Sequence, residues 1–351
     1  MVTTRPLPSP GNSYKSRRWR NHHPLAMLIL LIAGAIGLIF LANVLAAYPS
    51  PGGQRLFNVM LISLNLTVAA VGLALIGWLP PLNPDILRES GLLTEPARSG
   101  WVLLGLGAWG VAMGQTAVRH TLAHWLPLNP TSPVHTLALM FSGYLVGSTA
   151  ITLVQGGLEG LAETAVNLSV ADVVIQQLMF VLLALFGVGL LVRRSSNALN
   201  QRLGLERPTR QQLATGLRWV GLLLLLQWGI GALWLLLNPN QAELLSNLSG
   251  ELFGEFDTVW EWFVLALVSG LGEELLFRGA IQPVFGLVPT ALLFAVAHVQ
   301  YGITPATLTI FLIGLALGHL RRTTNTSTTI FVHFSYNFLL GLLSLVALNM
   351  V

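Results

Sequence analysis

Apolar residues run along this chain in long continuous blocks, at 25–47, 57–79, 101–118, 134–155, 170–192, 214–237, 257–277, 288–302, 305–320 and 327–349. Stretches bearing Pro, Arg or Asn, costly inside lipid, separate them. A helix that crosses the roughly 30 Å hydrocarbon core needs about 20 mostly apolar residues, because it rises about 1.5 Å per residue. The pattern therefore predicts an all-α fold, a polytopic transmembrane helix bundle with about 8–10 spans.

Composition points the same way. Of 351 residues, 54% are hydrophobic and only 9% charged, with a mean hydropathy of +0.70, where a soluble chain carries about 25% charged residues. The net charge of +4 and pI near 10.0 would suit a nucleic-acid binder, but the basic residues sit in short clusters flanking apolar blocks. No nucleic-acid partner is expected, and the lipid bilayer is the partner instead. The absence of cysteine excludes disulfides, thiolate nucleophiles and Cys-ligated metals.

Charge also orders the chain. Residues 1–23, with Pro6, Pro8, Pro10, Lys15, Arg17, Arg18 and Arg20, read as a disordered basic tail. The following block is longer than a signal-peptide core of about 7–15 residues, so it is expected to stay as an anchor. Residues 24–192 form an N-terminal transmembrane region of unknown role. Loop 193–213 carries Arg193, Arg194, Arg202, Arg207 and Arg210 against Glu206 alone, which marks it as cytoplasmic. Residues 214–351 then form a C-terminal transmembrane region with its core at about 257–345. From the Arg-rich loop onward, acidic Glu243, Glu251, Glu255 and Asp257 fall outside, while Arg278, Arg321 and Arg322 return inside. Five spans before that loop would put the basic tail outside, against its charge. An extra re-entrant or interfacial helix is therefore expected near Arg119–Leu128 or Gly156–Leu168. His120 and His124 share a helix face, but no Glu follows His120, and Arg119 and Trp125 mark a membrane interface, so no metal is expected there.

Ionisable groups within spans cost about 2.5–3.5 kcal/mol each on insertion scales and are functional candidates by default. Here they cluster in Glu273-Glu274-Leu275-Leu276-Phe277-Arg278, Phe294-Ala295-Val296-Ala297-His298 and His333-Phe334-Ser335-Tyr336-Asn337. Residues four apart share a helix face, pairing Glu274 with Arg278, Phe294 with His298 and His333 with Asn337. Glu273 and Glu274 leave a helix about 100° apart, so one is expected to be catalytic and the other structural. Counting from the inner helix starts puts His298, His333 and Asn337 about 9 to 15 Å into the bilayer, level with Glu273. A carboxylate there can take a proton from water as it attacks an amide carbonyl, an imidazole can assist, and side-chain donors can stabilise the oxyanion.

Together these three motifs, in this order, resemble the signature of the CPBP family of intramembrane endopeptidases, which includes the type II CAAX prenyl endopeptidases and the bacterial Abi proteins. Phe311-x-x-Gly314-x-x-x-Gly318 resembles the helix between the second and last motifs. The resemblance covers roughly 257–345. It implies that Glu273 activates water, His298 assists, and His333 with Asn337 stabilises the oxyanion, with Glu274, Arg278 and Phe294 supporting the motif. It further implies a peptidase of glutamate type with no cofactor, although Glu273, His298 and His333 leave a zinc site open on ligand types. The expected partner is a polypeptide substrate, membrane-associated or prenylated, and the expected location a bacterial plasma membrane. Two other classes keep the same polar cavity: a membrane transporter, which should show polar residues in repeated halves, and a non-catalytic scaffold or immunity protein, which would tolerate loss of Glu273.

Overall fold

The computed structural model describes residues 22–77, 95–164 and 167–348; the expected disordered tail lies almost wholly outside these residues. Among the described residues the fold is all-α, without strands. The helices are α1 (His22–Ala47), α2 (Pro51–Gly77), α3 (Pro96–Gly114), α4 (Thr116–Leu122), α5 (Pro133–Val154), α6 (Gly157–Thr164), α7 (Val170–Gly187), α8 (Ser196–Leu203), α9 (Arg210–Leu237) and α10 (Pro239–Phe253). After them come α11 (Val259–Glu273), which runs into a π-helical segment (Glu274–Ile281), α12 (Gln282–Phe285), α13 (Leu287–Val296), α14 (Pro305–Thr323) and α15 (Thr326–Leu348).

Five of these, α2, α5, α7, α9 and α15, are long and apolar enough to cross a membrane, and α3 with α4 makes a sixth if the bent pair counts as one span. The other blocks are helical too, but α11 gives way to the π segment and α13 has only 10 residues. Leu222, Leu225, Trp228, Leu233 and Leu236 of α9 are exposed, an apolar surface that lipid, not water, can cover. Polar residues cap the starts of three of these helices. Ser169 with Asp172 caps α7, Thr209 with Gln212 caps α9, and Thr258 with Glu261 caps α11, each as a reciprocal capping box.

Short helices occupy both places where the charge pattern called for one. The axis turns by 88° between α3 and α4, and α6 lies between α5 and α7. Arg119, placed at a membrane interface by its sequence context, is buried within the protein. It is 2% exposed and donates to the carbonyls of Met113 (2.6 Å) and Pro130 (2.7 Å) and to the Thr116 hydroxyl (3.2 Å). The bend at Gln115 frees backbone carbonyls, and a buried guanidinium satisfies them.

The apolar cores tie the N-terminal region to the C-terminal one. Ala184 of α7, Val188 just beyond it, and Leu199 and Leu203 of α8 pack on Leu275, while Val173 packs with Phe256 and Leu265. Small residues set the closest approaches, as expected where helix association in lipid depends on packing. A Cβ on Gly314 would sit 3.2 Å from Ala291, and Gly318 leaves room for Gln282, whose amide donates to the Gly318 carbonyl at 2.8 Å.

Candidate active site

The site forms where α11 gives way to the π segment. Two glycines let the neighbours close in on Glu273. A Cβ on Gly270 would lie 3.0 Å from the Phe334 nitrogen of α15, and one on Gly272 would lie 2.8 Å from the Gln177 carbonyl of α7 and collide with the Gln177 side chain. Sequence therefore dictates the approach. The run Ser269-Gly270-Leu271-Gly272 removes side chains from the two faces on which α15 and α7 must meet the acid.

Glu274 is fully buried. Its Oε1 lies 3.0 Å from Nη1 of Arg278 and accepts from Nδ1 of His333 at 2.9 Å. A carboxylate can be kept at such a depth only by paired charge and hydrogen bonds. Arg278, 1% exposed, also donates to the Gly314 carbonyl at 3.4 Å and sits 4.3 Å from the ring centre of Phe294. Phe294 in turn meets Phe277 edge-on at 5.2 Å and contacts the rings of His298 (4.8 Å) and His333 (6.1 Å). The ring thus holds the guanidinium and both imidazoles through packing and a cation–π contact.

Glu273 is placed differently. Its Oε1 accepts from Nε2 of Gln177 at 3.0 Å, while Oε2 has no hydrogen-bond partner among the described residues. That oxygen lies 3.7 Å from Nε2 of His298 and 4.0 Å from Nε2 of His333. Nδ1 of His298 is 2.7 Å from the Phe294 carbonyl, and a carbonyl can only accept, so Nδ1 carries hydrogen and Nε2 of the neutral ring carries the lone pair. By the same reasoning the Glu274 carboxylate assigns hydrogen to Nδ1 of His333. Three uncommitted acceptor positions therefore converge, open on one side: the His298 side chain is 20% exposed, against 6% for His333 and 0% for Glu274.

One expectation needs correction and another a refinement. The block at 288–302 was expected to be one helix, but α13 ends at Val296 and His298 lies just beyond it with φ −101 and ψ 51. The last turn of a helix leaves carbonyls unsatisfied. Here the His298 ring takes that of Phe294, and the Thr149 hydroxyl donates to that of Val296 at 2.8 Å. Gly302, at φ +59, then turns the chain towards α14. The second concerns the adjacent acids, one expected to be catalytic and the other structural, which share a partner that their divergence did not suggest. They diverge, but an imidazole has a nitrogen on each edge, and His333 faces Glu274 with Nδ1 and Glu273 with Nε2.

Of the residues singled out from sequence, Glu273, Glu274, Arg278, Phe294, His298 and His333 are in mutual contact or nearly so. Asn337 lies one turn beyond His333 on α15, half-buried, and its side chain makes no hydrogen bond among the described residues. Gln177 and the ring of Tyr301, stacked 6.3 Å from His298, were not foreseen. The one sequence signal for Gln177 is an amide pair, Gln176-Gln177, inside an otherwise apolar span. Among the described residues no group of three His, Asp or Glu side chains has metal-holding geometry.

An apolar helical bundle with carboxylates and imidazoles sunk into its interior defines an integral, multi-pass membrane protein with a polar site inside the bundle. Comparison with known families sharpens this. Residues 255–339 match the family model described as Type II CAAX prenyl endopeptidase Rce1-like. That match, which begins just before α11 and ends within α15, supports placing the C-terminal region in the CAAX protease (CPBP) family of intramembrane endopeptidases. No curated protein and no solved structure matches the chain.

Proposed function

We propose that the protein hydrolyses a peptide bond of a membrane-associated polypeptide with a water molecule activated by Glu273. The observation that carries this is the uncommitted Oε2 of Glu273, held 3.7 and 4.0 Å from two imidazole nitrogens. Those gaps exceed a hydrogen bond, yet one water at hydrogen-bond distance spans the gap to His298. With a carboxylate oxygen and an imidazole lone pair both accepting, the water donates both hydrogens and turns its lone pair outward, towards a substrate carbonyl.

As the water oxygen bonds to the carbonyl carbon, its proton passes to Glu273. His333 when protonated, and the amide of Asn337, donate to the developing oxyanion. Collapse breaks the C–N bond, and the proton held by Glu273, or relayed by His298, goes to the leaving amine. Glu274 and Arg278 position His333 and do not touch the water. Gln177 holds the other carboxylate oxygen, so that Oε2 alone faces the reaction. A prenylated substrate is the further reading that the family description suggests.

The test is cleavage of a peptide library, with and without lipidated members, by the protein in nanodiscs. Glu273→Gln should lower the rate about 10²–10⁴-fold and Asn337→Ala about 10²–10³-fold, with activity unaffected by chelator. Undiminished cleavage by Glu273→Gln would refute the base assignment. Loss of wild-type activity to chelator, restored by zinc, would replace the glutamate mechanism with a metal-centred one on Glu273, His298 and His333.

A further inference from the structure

A second feature shares a wall with the acid–imidazole site. Phe277, whose ring abuts Phe294, and Ala297, next to His298, also line a cavity of about 280 Å³ between α1, α5, α7, the π segment and α13. Its interior is almost wholly apolar, with Ala138, Phe141, Leu145, Phe180, Leu183 and Leu293 along it. From Val134 to Leu145 it follows α5 for about 16 Å at the helix rise. Most of this lining lies outside residues 255–339, where the family match falls.

One end of the cavity is cationic. Arg193, Arg194 and Arg202 line it there, with His135. Arg202 donates to the carbonyls of Gly279 (2.6 Å) and Ala280 (3.2 Å), Arg193 donates through Nε to Asn43 (2.7 Å), and Arg194 donates to the Val188 carbonyl. Among the described residues no carboxylate lies within ion-pair distance of any of the three; the ion pairs are Arg98–Glu95 and those of Glu273 and Glu274. Burial first, then the charges of Arg194, Arg321 and Arg193, push Arg202 down to about 10. Like charges gathered at the edge of an apolar cavity repel one another unless an anion from elsewhere joins them.

We propose that this cavity is a binding site for an anionic glycerophospholipid of the inner leaflet, with one acyl chain along α5 and the phosphate against Arg193 and Arg194. The shape suits a chain, since the space is long and mostly apolar with its charged side chains gathered at one end. Charge selects the headgroup: a zwitterionic lipid would bring its own cation into a cluster that already has three. The Arg-rich loop also carries the excess of positive charge typical of the cytoplasmic face, where anionic lipids are met. Bound there, the lipid would brace the π segment through Arg202 and Phe277.

The site is tested with phosphatidylglycerol and phosphatidylcholine carrying a photoreactive group on one acyl chain, added to the full-length protein in nanodiscs, with adducts mapped by mass spectrometry. Phosphatidylglycerol should label Phe141, Leu145 or Phe180. Labelling should fall about fivefold in Arg193→Gln and again in Arg194→Gln, and vanish in Ala138→Phe, which fills the cavity and leaves the arginines intact. Equal labelling by the two lipids, adducts confined to other surfaces, or displacement of the probe by a prenylated peptide would overturn the proposal, the last by giving the cavity to substrate. Glu273→Gln should leave the labelling unchanged, so this inference and the proposed chemistry fail separately.

Discussion

Glu273 and Glu274 are neighbours in sequence with the same side chain, and the difference between them is one of surroundings. Each bonds through one oxygen, Glu274 to Arg278 and His333 in full burial and Glu273 to Gln177, but only the free oxygen of Glu273 lies beside two imidazole nitrogens. The pair Glu274–Arg278 was legible from the sequence because an i,i+4 spacing is a local rule. The role of His333 as a bridge was not, because it depends on how α15 lies against α11. Removing one member of a buried ion pair strands the other, so Arg278→Met should destabilise the protein by about 3–5 kcal/mol. In the double variant Glu274→Leu/Arg278→Met much of that loss should return, as neither charge is left alone. Activity should not return with it, because Nδ1 of His333 has lost its acceptor. Thermal unfolding in detergent, read alongside cleavage rate, separates the two effects; recovery of activity in the double variant would show that Glu274 does not position His333.

At the scale of elements, the hydrophobic blocks located nearly every long helix, since a run of apolar residues bounded by Pro, Arg or Asn leaves few alternatives in lipid. The π segment at 274–281 and the end of α13 at Val296 were illegible in the hydrophobic pattern; the second depends on a tertiary partner, since Thr149 and the His298 ring take the last carbonyls of α13. Gln177 escaped for the same reason, since nothing in an apolar span tells which of two adjacent glutamines meets a carboxylate 96 positions away. A methyl group at Gly272 has no space beside Gln177. Gly272→Ala should therefore act like Gln177→Leu, each lowering kcat by roughly 10- to 100-fold through loss of a hydrogen bond to a charged group, with KM little changed. A normal kcat in Gln177→Leu would mean that Glu273 is oriented without it.

Across the whole molecule, the N-terminal region is more than an attachment to the family domain. It supplies Gln177 to Glu273, the apolar residues that pack against Leu275, and most of the cavity beside the site. None of this could be read from the C-terminal motifs, which stop at the edge of their own helices. Orientation is an expectation that rests on charge alone. The Arg-rich loop and the acidic stretch lie beyond opposite ends of α9, whose 28 residues span about 42 Å. The chain has no native cysteine, so Asn197→Cys and Glu255→Cys, both at exposed positions, each provide a single reactive thiol. In sealed vesicles of known sidedness a membrane-impermeant maleimide should reach Cys at 255 from outside and Cys at 197 only after permeabilisation. The reverse result would invert the topology and put the site near the other leaflet.

Direct attack by water on the substrate is the central claim, and a single turnover in water enriched in heavy oxygen tests it most directly, using a peptide that the wild-type protein cleaves. If Glu273 acts as a base, the heavy oxygen enters the new carboxyl terminus of the product in that first turnover, and the Glu273 side chain, recovered by proteolysis, carries none. Heavy oxygen in Glu273, with the product of the first turnover unlabelled, would mean that the carboxylate had bonded to the substrate itself, and would contradict the mechanism.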